Sequence, residues 1–306
     1  MKPLSLRIGG YGPQKSAHGE GLATFRRIVE RDTDGQVEID VIWNIMDQGR
    51  PNTDLFNMVA SGEMFMCYFS SSYLGDRVPE LNVLETPYLF HDLGSAHRAL
   101  DGSLGQTLAD AVRVGAGFEL LGMWDNGFRH LTNRHHPVRS PADCAGMTVR
   151  LQPNAVHEEL IRSWGAIPVA IDLKAGIEMI SRLEVDAQEN PLANTVAYGV
   201  DKLHRFVTMT GHLYGARGLF ANATTWDSFP PDLRAIVAGA AREAVSHQRE
   251  AAETLEANLR ARLEEEGTEF VDLTTEEHAA FIEASARAIS LAHDGLSAEM
   301  FELATS

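Results

Sequence analysis

Apolar and polar positions in the opening part of the chain switch between two periods. "LSLRIGG" alternates every second residue and ends in glycine, which predicts a strand followed by the loop "YGPQKSAHGEG". In "LATFRRIVERDT" the apolar residues Leu22, Phe25, Ile28 and Val29 recur at helical spacing. "GQVEIDVIW" returns to a β-branched alternation, and "DLFNMVASGE" predicts a helix closed at Gly62. "MFMCYFS" is apolar throughout, as a strand covered on both faces should be. Strand, helix, strand, helix, strand predicts an α/β domain with a largely parallel sheet.

The pattern restarts further on. "FELLGMWDNGFRHLTN" reads as strand, turn, strand, and "GMTVRLQPN" as a strand leading into the helix "AVHEELIRSWG". "IPVAI" is a short strand, followed by the helix "DLKAGIEMISRLE" and then by "VDAQENP". Proline disfavours the helical region for its predecessor, so Asn190 is expected in an extended or turn conformation. This second α/β unit covers about residues 126 to 213. A long helix is predicted from about Pro231 to Glu266, with Leu233, Ile236, Val237 and Ala240 on one face. At ~1.5 Å per residue it measures about 50 Å, too long for one small domain, so it should span two.

Composition narrows the class. The 306 residues suit two domains, and 44% hydrophobic with 23% charged residues is ordinary for a globular chain. The net charge of −17, from 26 basic and 43 acidic residues, argues against a nucleic acid or an anionic membrane surface as partner. It is compatible with a small anionic ligand, because a few buried arginines set a local field of their own. No apolar run approaches the roughly 18 residues of a membrane span, and no charged-then-apolar leader precedes the first strand. Cys67 and Cys144 are expected as separate thiols. There is no C-x-x-C, no G-x-S-x-G, and "GGYG" lacks the rest of a dinucleotide or phosphate fingerprint. His135 and His136 have no spaced third ligand, so neither metal nor cofactor is expected.

In open α/β sheets, ligands bind outside the carboxyl ends of the strands. The polar residues just beyond each predicted strand are therefore the candidates. They are Tyr11, Gln14 and His18 after the first strand, Asn44 after the second, and Ser70, Ser71 and Ser72 after the third. In the second unit they are Asn126 and Arg129, then Arg150, Gln152 and Asn154, then Gln188, Glu189 and Asn190. Arg150 stands out, because an arginine among apolar neighbours in "MTVRLQ" must be paired, and its planar fork suits a carboxylate. That carboxylate could belong to a ligand or to an internal aspartate. Arg129 could face the same ligand or lie at a surface turn, and Asn190 could be a ligand contact or simple turn chemistry.

The blocks "NGFRHLTN", "VRSPADCAGMTVRLQPN", "WGAIPVAIDLKAGIEMISRLEVDAQENPLAN" and "FVTMTGHLYGARGLFAN" resemble the solute-binding proteins of tripartite ATP-independent periplasmic (TRAP) transporters. "LGDRVPELNVLETPYLFHDLGSAHRAL" and the long late helix also look like that family. The resemblance implies a two-lobed α/β binding protein, with a long helix shared by both lobes and the ligand cleft between them. Lobe I would hold residues 1–125 plus about 214–252, and lobe II residues 126–213 plus about 253–306. It implies an organic acid as ligand, with Arg150 as the carboxylate anchor, and matches Arg129 and Asn190 to a second arginine and an asparagine. It further implies a periplasmic location after loss of a leader, TRAP permease membrane subunits as partners, and a monomer.

Because Tyr11, Gln14, Asn44, Ser70, Ser71, Gln152 and Asn154 supply hydroxyls and amides, a hexuronate or related sugar acid fits the candidates better than a bare dicarboxylate. The competing class is an enzyme acting on such an acid, with Glu189 or His18 as general base. It lacks a base–nucleophile pair and a metal set.

Overall fold

The computed structural model describes residues 3–305, and among these it holds nine strands. They are β1 (Leu4–Gly9), β2 (Val37–Ile42), β3 (Met66–Ser70), β4 (Phe118–Asn133), β5 (Thr148–Leu151), β6 (Ile167–Ala170), β7 (Ala187–Asn190), β8 (Phe206–Asn222) and β9 (Glu269–Val271). The architecture is mixed α/β, as the alternation of periods predicts. The chain divides into two compact units. Unit 1 holds the residues up to Val78, with Arg98–Asp125 and Ala216–Glu253; unit 2 holds Pro79–His97, Asn126–Gly215 and the residues from Thr254 on. The segment Pro79–His97 thus packs in unit 2, whereas the bounds that the resemblance implies put it in lobe I. Buried Leu81, Val83 and Leu84 and the pair Glu85–His157 tie it there.

In unit 1 the strand order is β2-β1-β3-β8. β1 pairs in parallel with β2 and β3, and β3 pairs antiparallel with the end of β8, Met66 opposite Ala221 and Ser70 opposite Arg217. The helix Ala17–Asp32 buries Leu22, Phe25, Ile28 and Val29 on one face, the four positions its period predicts. It starts earlier than the hydrophobic pattern, inside the expected loop, because the Ser16 side chain caps it by accepting from the Gly19 amide at 3.1 Å. The helix Asp54–Ser61 ends at Gly62 in the left-handed conformation.

In unit 2 the order is β4-β7-β5-β6, with β9 alongside the opening residues of β8. β5 runs parallel to β6 and β7, and β7 runs antiparallel to β4. One face of this sheet lies on a core of Leu131, Val149, Leu151, Leu160, Trp164, Leu213 and Phe281. Two departures from the predicted elements concern long strands. "DNG" in β4 is no turn: Gly127 at φ +93° absorbs the bend, and Gln248 bonds the amide and carbonyl of Asp125, so the strand runs on. β8 reads weakly because glycines at 211, 215 and 218 interrupt its alternation. The helix Pro231–Glu265 has 35 residues and contributes to both units, as do β4 and β8.

Candidate functional site

β5 carries Arg150 near its carboxyl end, with 3% of the residue exposed. Its Nη2 donates to the Ile171 carbonyl at 2.9 Å. The helix Leu173–Ser181 passes close by through Gly176, where an added Cβ would run into the guanidinium. A carbonyl and a glycine cradle therefore fix where this cation sits. Arg150 is level with Gln188 in the β5–β7 register, and Gln188 and Asn190 are level with Thr132 and His130 of β4. Strand alternation puts Arg150, Gln188, Asn190, Thr132 and His130 on one face of the sheet.

Arg129 belongs to the opposite parity, with Leu131, Glu189 and Val149. Its guanidinium forks onto the Glu189 carboxylate, Nη2 to Oε1 at 2.7 Å with Nε on Oε2, and also donates to the Glu189 carbonyl at 2.8 Å. Both side chains are buried, at 5% and 1% exposure. His212 lies 3.4 Å from the same carboxylate and meets Trp164 edge to face. Burial works against the Glu189 charge, but Arg129 and the hydrogen bonds from His212 and Arg129 outweigh it and hold the carboxyl well below the usual carboxylate range. Arg129 is thus engaged inside the protein, at no surface turn. His157 and Glu85, 2.7 Å apart and both buried, form a second such pair.

Asn190 ends β7, and Pro191 caps the helix Leu192–Ala197, so "ENP" is a strand-to-helix junction. Asn190 Oδ1 accepts from Asn194 Nδ2 at 3.1 Å, and that Nδ2 also donates to Asn126 Oδ1 at 3.0 Å. Gln152 is buried after β5. Asn154 caps the helix Ala155–Ser163, its Oδ1 accepting from the amides of Val156 and His157. His135, exposed, lies 2.8 Å from Asp186.

In unit 1 the expected residues separate. Tyr11 is buried and its amide donates to the Tyr68 hydroxyl at 3.1 Å. Ser70 and Ser72 share a hydrogen bond of 2.9 Å, and buried Ser71 donates to the Ala216 carbonyl at 3.3 Å. Asn44 is tied locally, its oxygen to the Met46 amide and its nitrogen to Asp47 at 2.8 Å, while Gln14 is exposed in its loop.

The same neighbourhood contains a residue that the strand-end rule passes over. Arg217 of β8 is 4% exposed, with Cζ 4.8 Å from the Tyr11 ring and 5.7 Å from the Tyr68 ring. His18 stacks on Tyr68 at 5.1 Å, and burial, then the Arg217 charge, push its imidazole well below its ordinary pKa, so it is neutral. The criterion that singles out Arg150, an arginine in an apolar run, applies equally to "YGARGLF" and would have found Arg217. Cys67 and Cys144 are buried free thiols, and burial pushes the Cys144 thiol up to about 12.

With this geometry in place, known proteins offer a comparison. The model of the family described as bacterial extracellular solute-binding protein, family 7, matches residues 8–292. The 2,3-diketo-L-gulonate-binding periplasmic protein YiaO of Escherichia coli is 26% identical over 251 residues, 80% of this chain and 74% of its own length. The sugar acid binding protein DctPAm of Advenella mimigardefordensis, solved in complex with galactonate, superposes with a TM-score of 0.93 at 24% identity, covering 100% of this chain and 97% of that one. A TRAP periplasmic solute-binding protein from Polaromonas, solved bound to D-erythronate, gives 0.91 at 26% identity, covering 99% and 98%.

Proposed function

The chain belongs to the bacterial extracellular solute-binding protein family 7, the binding proteins of TRAP transporters, and from that premise we propose that it captures a hydroxylated organic acid of the sugar-acid class. The observation that carries the reading is Arg150: a buried guanidinium at the carboxyl end of a parallel strand, aimed by the Ile171 carbonyl and the Gly176 cradle. Such a fork grips a carboxylate through two charge-assisted hydrogen bonds. Asn190 shares its sheet face and assists, while Arg129, engaged by Glu189, braces the strand that carries Asn190. Gln152 and Asn154 stand after β5 and offer amides to the ligand's own hydroxyls; in unit 1 Tyr11 and Ser70 remain candidates, while Asn44 and Ser71 are engaged within the protein. Gln14, exposed in its loop, is the remaining candidate of unit 1.

Two relatives support the sugar-acid class by what their names record: diketo-gulonate for the Escherichia coli protein and D-erythronate for the Polaromonas protein. The family consists of binding proteins, so the enzyme alternative falls; of its proposed bases, Glu189 is forked to Arg129 and both Glu189 and His18 have their basicity lowered by their surroundings. Among the described residues no helix is long and apolar enough to cross a membrane. The reading makes the protein a monomer of the periplasm that binds its acid and delivers it to a TRAP permease.

A thermal-shift panel of aldonates, uronates and short dicarboxylates tests the class, with the largest shift expected among the sugar acids. Arg150→Ala should then lower affinity for that acid at least a hundredfold by calorimetry. Full retained affinity would remove Arg150 as the anchor, and a response confined to dicarboxylates would overturn the sugar-acid class.

A further inference from the structure

Beside the anchor runs an unbroken series of neutral hydrogen bonds. Thr195 Oγ1 lies 3.1 Å from the Pro191 carbonyl oxygen, and Gln188 Nε2 lies 3.1 Å from that same hydroxyl. Asn190 Nδ2 is 3.4 Å from Gln188 Oε1, and Asn194 Nδ2 reaches both Asn190 Oδ1 and Asn126 Oδ1. Gln188, Asn190 and Thr195 are buried to 1%, 3% and 1% exposure. Side-chain amides are ambiguous by a half-turn, and what resolves them is the network they belong to.

Here one end of the network has a fixed sense. A carbonyl oxygen can only accept, so the contact to Pro191 exists only if the Thr195 hydroxyl donates to it. The hydroxyl's lone pairs then face Gln188, which must present its nitrogen there and its oxygen to Asn190. Asn190 answers with nitrogen, leaving its oxygen for Asn194. A half-turn of any one amide would set oxygen against oxygen or nitrogen against nitrogen at two contacts, in a place where water does not compensate.

We propose that Thr195, through this one-way relay, fixes the hand of the Asn190 amide, so that Asn190 offers an N–H to the bound ligand and reads an acceptor oxygen there. The inference rests on the proposed acid-binding function for what the amide reads, but not for the relay itself. Of the two Nδ2 protons of Asn190, Gln188 takes one, at the long distance of 3.4 Å, and the other is available. Beside Arg150, the partner such a proton suits is a carboxylate, carbonyl or hydroxyl oxygen; an ammonium group, which only donates, is refused. Thr195 is a positioning residue.

The test has two readouts on the whole chain. In side-chain amide NMR spectra, Thr195→Val, which keeps shape and removes the hydroxyl, should shift the signals of Gln188, Asn190 and Asn194 together, while Thr195→Ser should leave all three in place. In calorimetry with D-gluconate as probe, Thr195→Val should weaken binding about tenfold and Thr195→Ser should restore it. A shift confined to Gln188, or full affinity in Thr195→Val, overturns the relay. Should Thr195→Val not fold, Asn194→Ala cuts the last link: Asn190 and Asn126 should shift while Gln188 keeps its wild-type signals, and an undisturbed Asn190 overturns the proposal. If the wild-type protein binds no acid of the panel, the functional reading fails alone, and the amide spectra still decide the relay.

Discussion

Arg129 and Arg150 look alike in the sequence and are treated differently by the fold. Both are buried arginines on strands of unit 2. Around Arg129 the protein supplies a carboxylate, a carbonyl and a nearby imidazole, and the charge is neutralised within the molecule. The partners of Arg150 include a carbonyl, and Gly176 lies against its guanidinium. Burying a charge is costly wherever it happens, and Arg129 meets that cost with an internal carboxylate. The first region holds structure together, and the second, on the proposed reading, presents a cation to the ligand's carboxylate.

The sharpest way to break this contrast is at Glu189. Glu189→Ala leaves the Arg129 charge buried without its carboxylate and should lower stability by about 3–5 kcal/mol in urea denaturation. Arg150→Ala should change the stability of the ligand-free protein by less than half of that, with its effect in affinity instead. Equal losses of stability in the two variants would erase the distinction.

Acid should separate the regions next. Burial, then the charges of His212 and Arg260, push His130 down to about 3, and burial, then Arg134, push His204 down to about 4. The His130 Nδ1 accepts from the Gly211 amide at 3.1 Å, which requires the neutral ring. Unfolded histidines take up protons below about 6.5 while these native ones do not, so stability is full above that value and declines as pH falls towards 4. A fall of roughly 5 kcal/mol between pH 7 and 4.5 is expected from the two rings together, and His130→Gln should remove about half of it. The depressed Glu189 carboxyl adds to stability above the unfolded carboxylate range and loses its contribution only below that. Gluconate affinity of the folded protein, resting on an arginine, should change little over the same window.

Smaller effects sharpen the description of the anchor. Gly176→Ala gains about 1 kcal/mol of helix propensity yet crowds the guanidinium, so it should weaken acid binding about tenfold without loss of thermal stability. Asn154→Ala should cost about 1 kcal/mol of stability through the lost cap, and Asn154→Ser only a few tenths. If Asn154→Ser also weakens binding, the residue caps the helix and contacts the acid.

How much was legible in the sequence depends on range. Local patterns marked β1 to β3, the helix face of Leu22, Phe25, Ile28 and Val29, and the cap at Gly62, because each is written in neighbouring residues. Arg150 was legible for the same reason, as a charge out of place among apolar neighbours. The Arg129–Glu189 pairing spans sixty positions and depends on strand register, which no local pattern reveals. β8 was missed because its glycines hide the alternation, and with it Arg217. "DNG" was misread because a glycine at positive φ in a long strand has the composition of a turn.

The interleaving of the two units has a consequence for the order in which the protein can be completed as it is synthesised. Unit 1 needs the end of β8, so its sheet stays unfinished until nearly three-quarters of the chain exists. Throughout that interval β3, apolar along its length and buried in the finished protein, is an open edge lacking the partner it later finds in β8. Such an edge is a template for pairing with another chain. A nascent form of this protein therefore needs to be kept from its neighbours until β8 has been made.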